Sequence, residues 1–256
     1  MEEKIINTNL GRIAVTVDNR GTKASIIFMH GMFLDKSLWL DVAKRLPKVT
    51  RIYIDMPAHG GSSDVGHDWT LNDCVDLLMQ IMNELKLDRC FLIGHSWGGM
   101  VALRAAVKYP ERFKALGLLN MPFTKVVGLR RLGFILQKAV LFFPSFYAKQ
   151  AAKSLYSEEI LRTRPELSIQ MQERIAARPP RELARVIDAV ILNAEDVTHL
   201  INELRVPALV VVGRNDYVGK PPRLDSWTVA GGHMSPQESV EGITDAVVTV
   251  LGMRGR

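Results

Sequence analysis

The sequence predicts an α/β fold: a doubly wound, mostly parallel twisted sheet flanked by helices, with a helical insertion over one end. Three observations predict it. Five short apolar runs lack the in–out alternation of a half-solvated sheet and instead suit strands buried on both faces. Helical periods of apolar residues separate most of those runs. Between residues 124 and 193 no strand-like run occurs, only helical patterns broken at prolines.

The elements follow in chain order. Lys4–Asn7 and Arg12–Val17 flank a turn at Asn9-Leu10-Gly11 and read as a hairpin. The continuous runs are Ala24–Met29, Arg51–Ile54, Cys90–Ile93, Ala115–Leu119 and Ala208–Val212. Leu71 to Leu85 carries Val75, Leu78, Met79, Met82 and Leu85 near a 3.6-residue period, with Asn72 or Thr70 as its N-cap. A helix through Met100–Val107 ends before Pro110, and Ser239–Leu251 places Val240, Ile243, Val247 and Val250 on one stripe. The proline breaks at Pro144, Pro165 and Pro179-Pro180 cut the middle segment into several helices. This divides the chain into a core of residues 1–123 and 194–256 and a helical cap of residues 124–193.

Composition narrows the class. The 256 residues are 47% apolar and 23% charged, which excludes a disordered chain, a fibrous repeat and a disulfide-stapled miniature. The formal charge of +6 is mildly basic, and the basic residues are spread along the chain, so nucleic acid is not an expected partner. Cys74 and Cys90 sit in no metal or redox spacing and are expected as free thiols of a cytoplasmic protein. No secretory leader and no membrane-spanning stretch is expected, and hence no stable membrane insertion.

The chemistry centres on Gly94-His95-Ser96-Trp97-Gly98-Gly99, a G-x-S-x-G between a strand and a helix. On so tight a turn, neighbouring side chains collide with the strand or the helix, which explains Gly94 and Gly98. Ser96 then projects above the sheet at a helix N-terminus, where the Trp97 backbone N–H can donate to a developing oxyanion.

With these residues in that context, the sequence resembles the α/β-hydrolase family over nearly its whole length, in the branch with a serine nucleophile and a helical cap. His30-Gly31-Met32-Phe33 is similar to the family's oxyanion loop. That implies the Met32 N–H as second oxyanion donor, with Phe33 as fallback. Asp55-Met56-Pro57-Ala58-His59-Gly60-Gly61-Ser62 is similar to the family's D-x-P-G-x-G-x-S turn, with Ala58 in place of a glycine.

A serine hydroxyl needs a base, and the base needs a partner to fix its tautomer. The family order of Ser, acid, His implies Asp216, after Ala208–Val212, and His233, after a short final strand at Ser226–Ala230. Asn120 lies past Ala115–Leu119, where some relatives keep their acid, but an amide cannot act as one. His30 is expected to be structural and His95 to pack below the turn. His59, His67 and His199 are expected at the surface or at caps, and none has metal-ligand spacing.

Only 16 residues separate Asp216 from His233, and Gly219 and Pro221-Pro222 forbid a long helix there. Apolar groups near Val211, Val229 and the C-terminal helix are then expected either to lie open, pairing two copies through Pro221 and Pro222, or to be covered by that helix in a monomer. The cap stretch Leu132–Tyr147 is strongly apolar, and Phe33, Phe134, Phe142 and Phe143 are expected to contact substrate. Arg130, Arg131, Lys138, Lys149 and Lys153 flank it; they could attract an anionic substrate or a membrane surface, but solvated helix faces are the expected explanation. The expected activity is hydrolysis of carboxylic esters with short to medium apolar acyl groups, needing no cofactor or metal. Lactonase, C–C bond hydrolase and cofactor-free perhydrolase chemistry on the same triad stay open, as does a non-catalytic binder of small molecules.

Overall fold

The computed structural model of the chain describes residues 1–217, 224 and 226–253. Among them the strands are β1 (Glu2–Thr8), β2 (Gly11–Asp18), β3 (Ser25–Met29), β4 (Thr50–Ile54), β5 (Cys90–His95), β6 (Phe113–Leu119), β7 (Ala208–Gly213) and β8 (Ser226–Val229). They form one sheet in the order β1-β2-β4-β3-β5-β6-β7-β8. The β1–β2 and β2–β4 pairs are antiparallel, and the other five pairs are parallel. The apolar runs are thus strands covered on both faces.

The helices are α1 (Leu40–Lys44), α2 (Leu71–Glu84), α3 (Trp97–Lys108), α4 (Gly128–Val140), α5 (Pro144–Leu155), α6 (Glu158–Thr163), α7 (Glu166–Ala176), α8 (Pro180–Ile187), α9 (Leu200–Glu203), α10 (Ser235–Glu238) and α11 (Val240–Gly252). A π-helical turn at Asp188–Leu192 continues α8. One core, shared with α2 and α3, fills one face of the sheet, and a second core, shared with α1 and α11, fills the other. Of the two N-cap candidates for α2, Thr70 does the work: its side chain accepts from the Asp73 N–H, and the Asp73 carboxylate accepts from the Thr70 N–H. Cys74 and Cys90 are free and buried.

Of the two alternatives for the face beside the last strands, the structure shows the covered one: Val211 and Val229 are buried, because α11 lies across β6, β7 and β8. Val218, Gly219, Pro221 and Pro222 lie outside the described residues.

Register is what assembles the site. Met29 pairs with Gly94, His95 with Leu119, Leu119 with Val211, and Gly213 with Val229. The chain leaving β3, β5, β6, β7 and β8 therefore emerges along one edge, the C-terminal edge where open α/β sheets bind ligands.

Helices α4 to α8 sit above that edge, fastened by polar bonds. Arg174 of α7 donates to Asp35 at 2.5 Å and to the Ser37 hydroxyl at 3.0 Å. Tyr156 donates to Gln237 of α10 at 2.5 Å. Burial alone would raise the Asp35 pKa, but the Arg174 charge and the Ser37 hydrogen bonds outweigh it and hold it at about 2, below the usual 3.8. A folded-state pKa below the unfolded one contributes stability that is complete above about pH 4 and is lost as pH falls toward 2. Urea unfolding between pH 7 and pH 2 is expected to show this loss. Asp35→Asn is expected to reduce stability at pH 7 and to flatten the acid slope; an unchanged slope would show that the Asp35–Arg174 pair does not fasten this segment.

Candidate active site

Ser96 lies in the turn from β5 into α3 with φ 50° and ψ −113°, a conformation a β-carbon disfavours. Its neighbours hold it there. The Ser96 N–H donates to the Leu119 carbonyl at 2.8 Å, and the Met100 N–H donates to the Ser96 carbonyl at 3.0 Å. A β-carbon at Gly94 would lie 2.3 Å from the Gly98 carbonyl carbon, so the strand and helix can meet this closely only without one.

His233 follows β8 and brings its Nε2 to 3.0 Å from Ser96 Oγ. Its Nδ1–H donates to Asp216 Oδ1 at 3.0 Å. That bond fixes the tautomer, leaving Nε2 as the acceptor facing the serine hydroxyl. The Asp216 carboxylate and the imidazole are both shielded from solvent. The three side chains named from sequence are thus brought into one hydrogen-bonded row. Tyr217 stacks on the His233 ring, with centroids 4.7 Å apart and planes 25° apart, and the Arg130 guanidinium lies 5.5 Å from the Tyr217 ring centre.

The remaining histidines serve as neutral scaffolding. His30 donates through Nδ1 to the Gly31 carbonyl and accepts the Met56 N–H at Nε2. His95 donates through Nε2 to the His233 carbonyl at 2.8 Å, holding the backbone of the base. His59 corrects an expectation: it is buried rather than at the surface, donating to the Pro57 carbonyl and accepting the Phe33 N–H at 3.0 Å. Burial lowers the pKa of His30 to about 4 and those of His59 and His95 to about 3, so all three are uncharged near neutrality. His67 and His199 are exposed, as expected.

The His59 bond also distinguishes the N–H groups of the loop. It occupies the Phe33 N–H, whereas among the described residues no hydrogen bond engages the N–H of Met32 or Trp97. A β-carbon at Gly31 would stand 3.1 Å from Ser96 Cβ and 2.7 Å from His95 Nδ1, which shows how tightly this loop lies on the elbow. Ala58 adopts the left-handed φ of 58°, so the neighbouring turn keeps its shape without glycine. Asp55 closes that turn by accepting the N–H groups of Lys36 and Gly61.

Asn120 has a role that sequence reasoning missed. Its Nδ2 donates to Asp216 Oδ2 at 2.5 Å and to the Gly232 carbonyl at 3.2 Å, while Ser235 Oγ donates to its Oδ1. It is fully buried at φ 50°. The signal was its position just past β6, matching that of Ser96 past β5 and Asp216 past β7. Tyr217 carried a weaker signal, an aromatic residue adjoining the acid.

A cavity of about 300 Å³ opens beside Ser96, lined among others by Met32, Phe33, Met100, Phe134 and Tyr217. Lys125 and Arg130 also line it, and among the described residues no acidic side chain does. A second cavity of about 640 Å³ adjoins it and shares Phe33, Arg130 and Phe134. Phe142 and Phe143 are not among the residues lining these two cavities; both are exposed at the α4–α5 turn. Among the described residues no cluster of three His, Cys, Asp or Glu is placed to hold a metal ion.

An open α/β sheet with a serine on the elbow and a histidine and a carboxylate on the following loops defines a class, and sequence comparison gives its name. Residues 24–228 match the family described as alpha/beta hydrolase fold, and the chain belongs to that family. It is 33% identical over 123 residues to the putative 2-succinyl-6-hydroxy-2,4-cyclohexadiene-1-carboxylate synthase of Bacillus subtilis, covering 47% of this chain and 45% of that one. The matched stretch spans less than half the length of such relatives, and a third of the Escherichia coli synthases. Two solved structures superpose over 98% of the chain. The enol-lactonase of Burkholderia xenovorans does so over its whole length, with a TM-score of 0.87 and 17% identity. A thermophilic esterase of Thermogutta terrifontis does so over 98% of its length, with a TM-score of 0.85 and 25% identity.

Asn120→Ala is expected to leave the buried Asp216 carboxylate short of a donor and to cost about 1–3 kcal/mol of stability in urea unfolding. It is also expected to slow reaction of Ser96 with a fluorophosphonate. A variant with full stability and an unchanged labelling rate would show that Asn120 does not position the acid.

Proposed function

We propose that the protein is a serine hydrolase that cleaves carboxylic esters of short to medium apolar acyl groups through an acyl-enzyme on Ser96. The observation that carries the reading is the row Asp216–His233–Ser96, with each link at 3.0 Å and the middle ring held in one tautomer. His233 Nε2 takes the hydroxyl proton as Ser96 Oγ bonds to the acyl carbon. The oxyanion receives the N–H groups of Met32 and Trp97. Imidazolium then passes its proton to the departing alkoxide as the C–O bond breaks. A water, deprotonated by the same nitrogen, releases the acid and restores Ser96. Asp216 orients the ring and stabilises its charged form.

The helices over residues 124–193 act as the cap in this reading, and the chamber beside Ser96 suits a small acyl group flanked by Phe33 and Phe134. The resemblance in shape to an esterase and an enol-lactonase agrees with an acyl-transfer site, and enol esters and lactones belong to the same substrate panel.

A second reading is favoured by Lys125 and Arg130 in a chamber that no acidic side chain lines among the described residues. Such a chamber accommodates a carboxylated substrate, and the partial relatives are named as synthases of a carboxylate. There His233 would act as a base without an acyl-enzyme.

Labelling, substrate and variant measurements test the assignment. Ser96 is expected to be the site a fluorophosphonate labels, and Ser96→Ala is expected to abolish ester hydrolysis while unfolding normally. Labelling elsewhere, or hydrolysis that survives the substitution, would reject Ser96 as nucleophile. Across p-nitrophenyl esters of increasing acyl length, turnover is expected to peak at short to medium chains. Asp216→Asn is expected to lower kcat by about three to four orders of magnitude through the wrong His233 tautomer. Ser96 that binds the probe yet turns over no ester or lactone would favour the second reading.

A further inference from the structure

Helix α4 is thirteen residues long and buries none of them. Leu129, Leu132 and Leu136 recur at i, i+3 and i+7 and form one stripe, which is 86% exposed at Leu129 and 61% at Leu136. The stripe continues into Phe142 and Phe143 at the turn, 65% and 68% exposed, and into Phe146 on α5. Large apolar groups in one exposed patch are uncommon on a protein that meets only water.

The charge around this patch is equally one-sided. Residues 124–157 hold Lys125, Arg130, Arg131, Lys138, Lys149 and Lys153 and no Asp or Glu. Those six cations equal the formal net charge of the whole chain, so the rest of the molecule balances to zero. Basic residues are spread along the sequence, but their excess over acidic ones is confined to this segment. Lys138 is paired with Asp188 at 2.6 Å, and Arg131 donates to the Leu192 carbonyl. Lys149 and Lys153 are exposed and join no ion pair among the described residues.

We propose that the α4–α5 face docks on an anionic lipid bilayer. An amphipathic helix with bulky apolar groups on one face and cations beside them lies in the plane of the headgroups, the apolar groups entering the acyl boundary and the cations meeting lipid phosphates. No described helix is long and apolar enough to cross a membrane, so the contact is peripheral. A second copy of the chain is the poorer occupant, since two such faces would set six cations against six. A nucleic acid would leave the leucine and phenylalanine groups without partners. Val127 and Phe146 belong both to the exposed patch and to the cavity walls, so docking turns the chamber mouth toward the lipid. The proposal concerns attachment and does not depend on the reaction assigned to Ser96.

Vesicle flotation of the full chain tests it, using phosphatidylcholine alone and phosphatidylcholine mixed with phosphatidylglycerol. The chain is expected to float with the mixed vesicles at low salt, to be released as salt rises, and to stay behind with the neutral ones. Two double variants, Leu129→Asp with Leu136→Asp and Lys149→Glu with Lys153→Glu, are each expected to reduce flotation about tenfold or more. Circular dichroism and fluorophosphonate labelling of Ser96 report whether each variant is folded, apart from whether it binds lipid. No flotation with anionic vesicles would overturn the proposal, and so would folded variants that float as the parent does. A parent chain that light scattering finds at twice its mass, with both variants monomeric, would assign the face to a second copy instead.

Discussion

The site depends on one strained residue. Ser96 sits at a left-handed φ that costs energy, and it stays there because the surrounding structure leaves no alternative. Its N–H is held by the end of β6, its carbonyl begins α3, and the absence of a β-carbon at Gly94 lets strand and helix close on each other. Given that turn, the hydroxyl points into the space that the loops after β3, β7 and β8 also reach. The sheet register supplies the rest: four parallel pairings run from β3 to β8 without an interposed strand, so loops far apart in sequence emerge side by side.

Around the elbow, imidazoles do two kinds of work. His233 alone is tied to a carboxylate on one side and a hydroxyl on the other. His30, His59 and His95 are sealed from water and depressed in pKa, so they bond the backbone with no charge: His30 and His59 as both donor and acceptor, His95 as donor to the His233 carbonyl. They fix the Gly31–Phe33 loop, the Asp55 turn and the backbone of His233. Neutral scaffolding of this type leaves Asp216 as the charged side chain bonded to His233 beside the serine.

Much of this was legible in the sequence because buried parallel strands write themselves as unbroken apolar runs, and the elbow, the loop after β3 and the two residues after β7 and β8 lie directly behind such runs. What was not legible depends on contacts between distant segments. His59 reads as a surface residue within a polar, glycine-rich turn, and only the loop at Phe33 buries it. Asn120 reads as an acid that is missing; its amide matters because the end of β7 arrives beside it. The shortened link after Asp216 left two outcomes open for the face beside the last strands, and the lateral placement of α11, which no local pattern encodes, decides for the covered one.

The way α4 is attached has an energetic consequence. It supplies Arg130 and Phe134 to the chamber wall yet contributes no fully buried side chain, so little apolar burial opposes its release. Its polar fastenings include the Lys138–Asp188 pair and the Arg131 bond to Leu192. Segments with so few buried contacts open at a small fraction of the free energy needed to unfold the whole domain. Local opening of the wall over Ser96 therefore costs less free energy than unfolding the sheet beneath it.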